Sequence, residues 1–325
     1  MRVLVTTSPF GLTNKDPITM LQEKFTEIGY NPYGEVLTKS QHYELIKQYK
    51  PEIIIAGTES YDRDTIEYAH TYGLRLIARV GIGVDAVNLK HCSKFGIMVT
   101  NTPDAPSGAV ADLTICQIIN MLRKMQDVSN MMKSDKWNRY IGREVCECTI
   151  GIIGCGRIGT MVIERLLPFK PIRILINDID SNKSIPLEDE DTRIKVDTCE
   201  NIYKYCDVIS LHIPLREKQI DNLNFISTPE LSKMKDNVRL LNLSRGGIID
   251  EEALFKWLEV KRKATVALDS YVSESYHGKL LNLSNVYLTP HLGSCTVKSR
   301  LHMEGGAVKE AILFANKQEP NNRVI

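Results

Sequence analysis

The sequence predicts an α/β protein built from two doubly wound parallel-sheet domains. Three observations carry that prediction. Short β-branched runs are each followed by an amphipathic helical pattern, as parallel sheets with helical crossovers require. The strands are near-continuously apolar, which marks sheets covered on both faces. The length of 325 residues also exceeds what one hydrophobic core usually serves.

In chain order, "RVLVTT" is the first strand, and a helical pattern follows from Pro17 to Ile28. "EIIIAG" precedes "RDTIEYAHTYG", and "LRLIARVG" precedes "AVNLKHCSKFG". Gly29, Gly73 and Gly96 read as helix-ending residues, since glycine accepts left-handed dihedrals. A long helical stretch runs from about Ser107 to Ser134, with Val110, Leu113, Ile118, Met121, Leu122 and Met125 on its apolar face. It is expected to bridge the domains. The alternation then restarts with "TIGIIG", "IRILIND", "DVISLHI", "VRLLNLS", "TVALDS" and "NVYLTP", whose order suits a dinucleotide-binding sheet. A last helix, about Thr296 to Lys317, follows the final strand and is expected to pack on the first domain.

Composition narrows the function classes. The chain is 43% apolar and 25% charged with net charge +1, so it carries no electrostatic footprint for nucleic acid or an acidic membrane. No apolar run has the length of a membrane span, and "MRVLVTTSPFG" is too short an apolar start for a signal peptide. A cytoplasmic protein is expected. The eight cysteines include Cys146 and Cys148 in C-x-C, without a second pair at zinc-ligand spacing, so no metal is expected and the thiols read as free and buried.

"TIGIIGCGRIGTMVIERL" places Gly154, Gly156 and Gly159 in G-x-G-x-x-G between a buried strand and an apolar-periodic helix. Gly154 allows the tight turn, Gly156 lets a pyrophosphate approach the backbone, and Gly159 lets helix and strand pack closely. Asp178 ends the next strand, where a carboxylate holds both ribose hydroxyls and repels a 2′-phosphate. The cofactor expected is therefore NAD rather than NADP. Asp180 is a competing acid.

Three further segments end predicted strands, where open α/β sheets place their ligands. "LLNLSRGGIID" sends Arg245 off its strand, a planar fork suited to a carboxylate. "ALDSYVSES" brings Asp269 and, five residues on, Glu274. "VYLTPHLGS" brings His291, whose imidazole exchanges a proton through one nitrogen when a carboxylate fixes the other. Each residue alone is unremarkable. Three after successive strands, downstream of a nucleotide loop, point to one site.

These segments, with "RVGIGVDAVNL", "GIMVTNTPDAPSGAVADLT" and "DVISLHIPL", together resemble the D-isomer-specific 2-hydroxyacid dehydrogenase family, in particular its phosphoglycerate dehydrogenase-like branch, nearly end to end. The resemblance implies a Rossmann NAD domain at residues 103–292, inserted into a flavodoxin-like substrate (catalytic) domain made of residues 1–102 and 293–325. It implies a catalytic trio of Arg245, Glu274 and His291, acting in a cleft between the domains. Cofactor contacts fall on Gly154, Gly156, Arg157, Ile158, Gly159, Asp178, Ile213, Pro214 and Leu243, and on Asp269, whose carboxylate would face the nicotinamide amide. Substrate carboxylates would bind Arg245 and the amides of Ile82 and Gly83. The substrate would be a small 2-hydroxy or 2-oxo acid. Hydride transfer would be coupled to proton transfer by His291 paired with Glu274. A homodimer is implied, with the long helix and Trp137 at its interface.

The chain departs from the family pattern in several places. Asp-Val-Phe and Glu-Pro around the acid become Asp269-Ser270-Tyr271 and Glu274-Ser275, which leaves the His–Glu pairing the least secured part of the trio. Cys295, near His291 in sequence, is a candidate for inhibitory oxidation. The mouth-loop arginine of phosphoglycerate enzymes is replaced by "AGTES", with Arg63 or Arg79 as stand-ins, so phosphoglycerate is not the favoured substrate. The chain stops just after the closing helix, so feedback through a C-terminal regulatory domain is not expected. Two other functions remain open on the same scaffold: oxidation of another small anion such as phosphite, and a non-catalytic NAD-sensing protein of the co-repressor type.

Overall fold

The structure is a computed structural model describing residues 1–217, 220–274 and 276–325. The chain divides into two compact units, Met1–Pro106 with Cys295–Ile325, and Ser107–Ser294.

The first unit holds a parallel sheet of β1 (Val3–Val5), β2 (Ile28–Tyr30), β3 (Ile53–Ala56), β4 (Leu76–Arg79) and β5 (Met98–Thr100), in the order β2-β1-β3-β4-β5. Every residue of β1, β3 and β4 is buried, because helices cover both faces. Leu21 and Phe25 after β1, with Met303, Ala307, Val308 and Ala311 of the helix Val297–Ala315, close one face. Leu45, Ile46, Ile66, Ala69 and Cys92 close the other. The last helix groups with the first unit, and Val324 N–H bonds Val99 O at the β5 edge.

One helix boundary differs from the sequence reading. The helix expected from Pro17 to Ile28 is Asp16–Lys24, and Ile28–Tyr30 pairs with β1 instead. Gly29 therefore lies in a strand and does not end a helix. A Cβ there would lie 2.6 Å from the Tyr49 ring, so glycine serves close packing. Gly73 and Gly96 do follow helix ends, at φ +98° and +64°.

In the second unit the long helical stretch is two helices, Ser107–Arg123 and Met125–Lys133, broken at Lys124 with φ +51°. The first buries Val110, Ile118, Met121 and Leu122 and packs on the helix Arg157–Leu166. The second buries none of its residues, and its apolar face of Met125, Val128, Met131 and Met132 is left uncovered within the unit. The strands are β6 (Thr149–Ile153), β7 (Arg173–Asn177), β8 (Ile194–Val196), β9 (Val208–Leu211), an antiparallel pair β10 (Arg216–Glu217) and β11 (Ile220–Asp221), then β12 (Arg239–Asn242), β13 (Thr265–Leu268) and β14 (Val286–Leu288). Seven form one parallel sheet, ordered β14-β13-β12-β9-β6-β7-β8. All six expected strands are present. β8 was not anticipated, because only Ile194 of its three residues is buried. Strand order reverses between β6 and β9, so their carboxyl ends flank the topological switch point at which such sheets bind ligands.

Candidate active site

The glycine loop leaves β6 at that switch point. Gly154, at φ +98°, donates its N–H to Asn177 O at 2.8 Å, and a Cβ there would run into the His212 carbonyl. A Cβ on Gly159 would collide with Gly154 O, which is how closely the helix Arg157–Leu166 approaches the turn. Gly156 is the opposite case. It is the N-cap of that helix, no side chain caps the first turn, and nothing lies within 4 Å of where its Cβ would be. First-turn N–H groups without a side-chain cap, beside open space, could hold a pyrophosphate. Arg157 at the helix start is exposed, and Ile158 packs against the core.

Asp178 follows β7. One carboxylate oxygen accepts Cys155 N–H at 2.7 Å and the other accepts Asp180 N–H at 2.8 Å. These bonds fix the carboxylate beside the loop and leave lone pairs for ribose hydroxyls. Asp180, the competing acid, caps the helix Ser181–Glu190 through Asn182 N. On the other side Ile213 and Pro214 are half-buried beyond β9. His212 Nε2 lies 2.9 Å from Ser210 Oγ and its Nδ1 is buried. Burial lowers its pKa to about 4, so this ring is a neutral wall and not a proton carrier near neutral pH. The side chain of Leu243, just beyond β12, is in the core.

Arg245, Glu274 and His291 follow β12, β13 and β14, three adjacent strands. His291 Nδ1 lies 2.6 Å from Glu274 Oε1, and both side chains are about one-third exposed or more, at 40% and 33%. The pairing therefore forms without a proline after Glu274. Ser275, which stands there, lies outside the described residues. A carboxylate at that distance favours the Nδ1–H tautomer of a neutral ring. Arg245 is half-buried, with Nη1 donating to Ser244 O at 2.8 Å. Gly247 beyond it takes φ +80°.

Asp269 has a task the sequence did not suggest. It is 2% exposed, and its carboxylate accepts Thr289 Oγ1–H at 2.6 Å, Leu292 N–H at 2.6 Å and Gly293 N–H at 2.7 Å. It therefore clamps the loop carrying His291, which itself takes the left-handed φ of +52°. Tyr271, absent from the candidate residues, donates to Thr289 O at 2.8 Å within the same loop pair.

In the first unit, the turn holding Ile82 and Gly83 is pinned by Thr102 Oγ1, which accepts Gly81 N–H at 2.8 Å, and by Asn101 Nδ2–H, donated to Ile82 O at 2.8 Å. Both residues are half-buried. Arg63 is spent on an exposed helical pair with Glu67, whereas Arg79 is buried at the end of β4. In "AGTES", Glu59 is a buried carboxylate accepting Thr6 Oγ1–H at 2.5 Å, Tyr61 Oη–H at 2.7 Å and Gly57 N–H at 2.9 Å.

No disulfide joins any of the eight cysteines, and four of them are buried. Cys116, Cys146 and Cys295 are exposed, against the expectation of buried thiols. Among the described residues no cluster of three or more His, Cys, Asp or Glu could hold a metal ion. No helix among them is long and apolar enough to cross a membrane.

Residues 115–293 match the family model described as D-isomer specific 2-hydroxyacid dehydrogenase, NAD binding domain. A D-3-phosphoglycerate dehydrogenase of Methanocaldococcus jannaschii is 34% identical over 88% of this chain, and the chain spans about half (53%) of that protein's length. A glyoxylate reductase of Thermococcus litoralis is 32% identical, with 93% of this chain and 91% of that protein covered. The solved structure of a D-lactate dehydrogenase from Aquifex aeolicus, complexed with NAD and lactic acid, is 26% identical, with a TM-score of 0.82 and 99% of both chains covered.

Proposed function

The chain belongs to the D-isomer specific 2-hydroxyacid dehydrogenase family, and from that premise we propose that it interconverts a small D-2-hydroxy acid and its 2-oxo acid, using NAD. The observation that carries this reading is the 2.6 Å contact between His291 Nδ1 and Glu274 Oε1, one strand away from Arg245 and its β12 strand end. Arg245 anchors the carboxylate of the acid through its planar fork. His291 Nε2 takes the hydroxyl proton during oxidation and returns it during reduction, while Glu274 stabilises the imidazolium that forms. NAD, when bound, accepts or supplies the hydride at its nicotinamide ring. The open space over Gly156 and the oriented carboxylate of Asp178 suit its pyrophosphate and adenosine ribose. Because "AGTES" carries no arginine, acids without a phosphate are the favoured substrates on this reading.

The test is NADH oxidation with glyoxylate, hydroxypyruvate, pyruvate and 3-phosphohydroxypyruvate, repeated with His291→Ala. We expect turnover of at least one unphosphorylated acid. His291→Ala should lower kcat by about 100-fold or more while NADH affinity holds. Tight NADH binding without turnover of any 2-oxo acid would replace this reading with that of an NAD sensor.

The chain also works as a homodimer on this proposal. Helix Met125–Lys133 buries no residue, and beyond it Trp137, Tyr140 and Ile141 are exposed, Ile141 by 93%. Beside them opens a cavity of about 550 Å³ lined by Met131, Tyr140 and Asn285 among others. A contiguous apolar segment of this kind is expected to be covered by a second copy. Ile141→Asp should shift the sedimentation coefficient to that of a monomer; an unchanged monomeric wild type would end the proposal. A reducing cytoplasm suits eight cysteines without a disulfide.

A further inference from the structure

We propose that the Tyr271 hydroxyl is the positioning group that locks the Glu274 loop and the His291 loop into one proton-transfer unit. The inference rests on the dehydrogenase reading above. It answers how this chain holds the pair where the resemblance led to Asp-Val-Phe and a proline after the acid.

Tyr271 lies two residues after Asp269 and three before Glu274. Its ring is 8% exposed, and its hydroxyl donates to Thr289 O at 2.8 Å, with Leu268 O at 3.1 Å as the secondary acceptor. Thr289 O is not an arbitrary acceptor. The same carbonyl receives His291 N–H at 3.0 Å, across Pro290. A single oxygen thus joins the phenol to the backbone of His291, a non-glycine residue held at φ +52°. Such a conformation persists only where surrounding bonds over-determine it. The Asp269 bonds to Leu292 and Gly293 restrain the far side of His291, and Tyr271 restrains the near side.

The ring braces the other partner. It stacks on Tyr276, with centroids 4.6 Å apart, so the residues on both sides of Glu274 are tied together. Val272 N–H, between them, donates to Glu251 Oε1 at 2.9 Å. The third member is coupled as well, because Gly246 packs so tightly on the Tyr271 carbonyl that no Cβ would fit between them. Arg245, Glu274 and His291 are therefore each one short step from this residue. Burial, then the charge of Asp269, pushes the phenol up to about 12, so the hydroxyl retains the proton it donates. A phenylalanine would fill the same volume and keep the stack. Only the hydroxyl's bonds, to Thr289 O and the secondary one to Leu268 O, would go.

Tyr271→Phe removes the hydroxyl and leaves the ring. Glyoxylate is the probe acid, and the tautomer of neutral His291 is read by long-range ¹H–¹⁵N NMR, assigned among the seven histidines by its loss in His291→Gln. We expect kcat to fall about 3- to 10-fold, the worth of one hydrogen bond, with NADH affinity within about twofold of wild type. The Nδ1–H tautomer should lose population in Tyr271→Phe, part of the way towards its population in Glu274→Gln. Wild-type kcat with an unshifted tautomer would overturn the proposal. So would an equal loss of kcat and NADH affinity, which marks a general packing defect. If the wild type reduces no acid, the dehydrogenase reading fails, and the tautomer shift alone decides whether Tyr271 positions the pair.

Discussion

Replacing Gly156 and Gly159 by alanine in turn should separate cofactor binding from stability within one four-residue span. At Gly159 the new Cβ overlaps Gly154 O deeply, and that oxygen belongs to backbone already bonded into the β6–β7 connection. The helix Arg157–Leu166 must slide away from the turn, breaking contacts of Val162 and Ile163 in the core. Overpacking on this scale costs about 3 kcal/mol. For a unit of this size that lowers the unfolding midpoint by roughly 6–12 °C. At Gly156 nothing stands within 4 Å, and φ −74°, ψ −168° suits alanine. The loss of a good N-cap residue, a few tenths to about 1 kcal/mol, is offset by a similar gain from restricting the unfolded chain. Its midpoint should stay within about 2 °C of wild type. The methyl group nevertheless fills the open space beside the first-turn N–H groups. Losing one or two charge-assisted bonds to a pyrophosphate weakens NADH binding about 10- to 100-fold. Thermal unfolding and NADH fluorescence titration measure both quantities. A Gly156→Ala protein that unfolds like wild type and binds NADH within threefold would refute the pyrophosphate site.

Asp178→Ser should weaken NADH and narrow the gap to NADPH by about 10-fold or more, since it removes both the ribose acceptor and the charge that repels a 2′-phosphate; a preserved ratio of the two dissociation constants would count against Asp178. Asp269→Asn replaces one carboxylate oxygen by an amide donor that must face the N–H of either Leu292 or Gly293, which should cost about 2–4 kcal/mol and depress kcat, read by calorimetry and NADH oxidation; an unaltered midpoint would mean the loop is held elsewhere. His212 gives the pH dependence. Its folded pKa of about 4 lies below the ordinary 6.5, so the unfolded chain binds the proton first, and stability is lost as pH falls from about 6.5 towards 4. His212→Gln should flatten that part of the midpoint-against-pH curve relative to wild type, and parallel curves would refute the assignment.

What could be read from the sequence was whatever is written within a turn or two. The three glycines share one turn, and each spacing carries its own steric reason, so their roles could be stated before any coordinates. β8 could not be read, because one buried isoleucine makes no pattern, and neither could the break at Lys124, a residue with no preference for φ +51°. Ile28 continues the apolar helical spacing from Pro17 and so reads as the end of a helix; only pairing with β1 makes Ile28–Tyr30 a strand. The candidate site divides on the same line. Arg245, Glu274 and His291 were visible as strand ends, but the bonds that arrange them close over some twenty residues of chain. The register of β13 on β14 supplies what was missing. Leu268 stands opposite Leu288, so the two strands end level and bring Asp269 beside Thr289. With those two residues abreast, Tyr271 reaches the Thr289 carbonyl and Glu274 meets the imidazole two residues beyond it. The departure at Tyr271 was legible as a letter, whereas its hydroxyl acquires a partner only when parallel register fixes which carbonyl lies across from it.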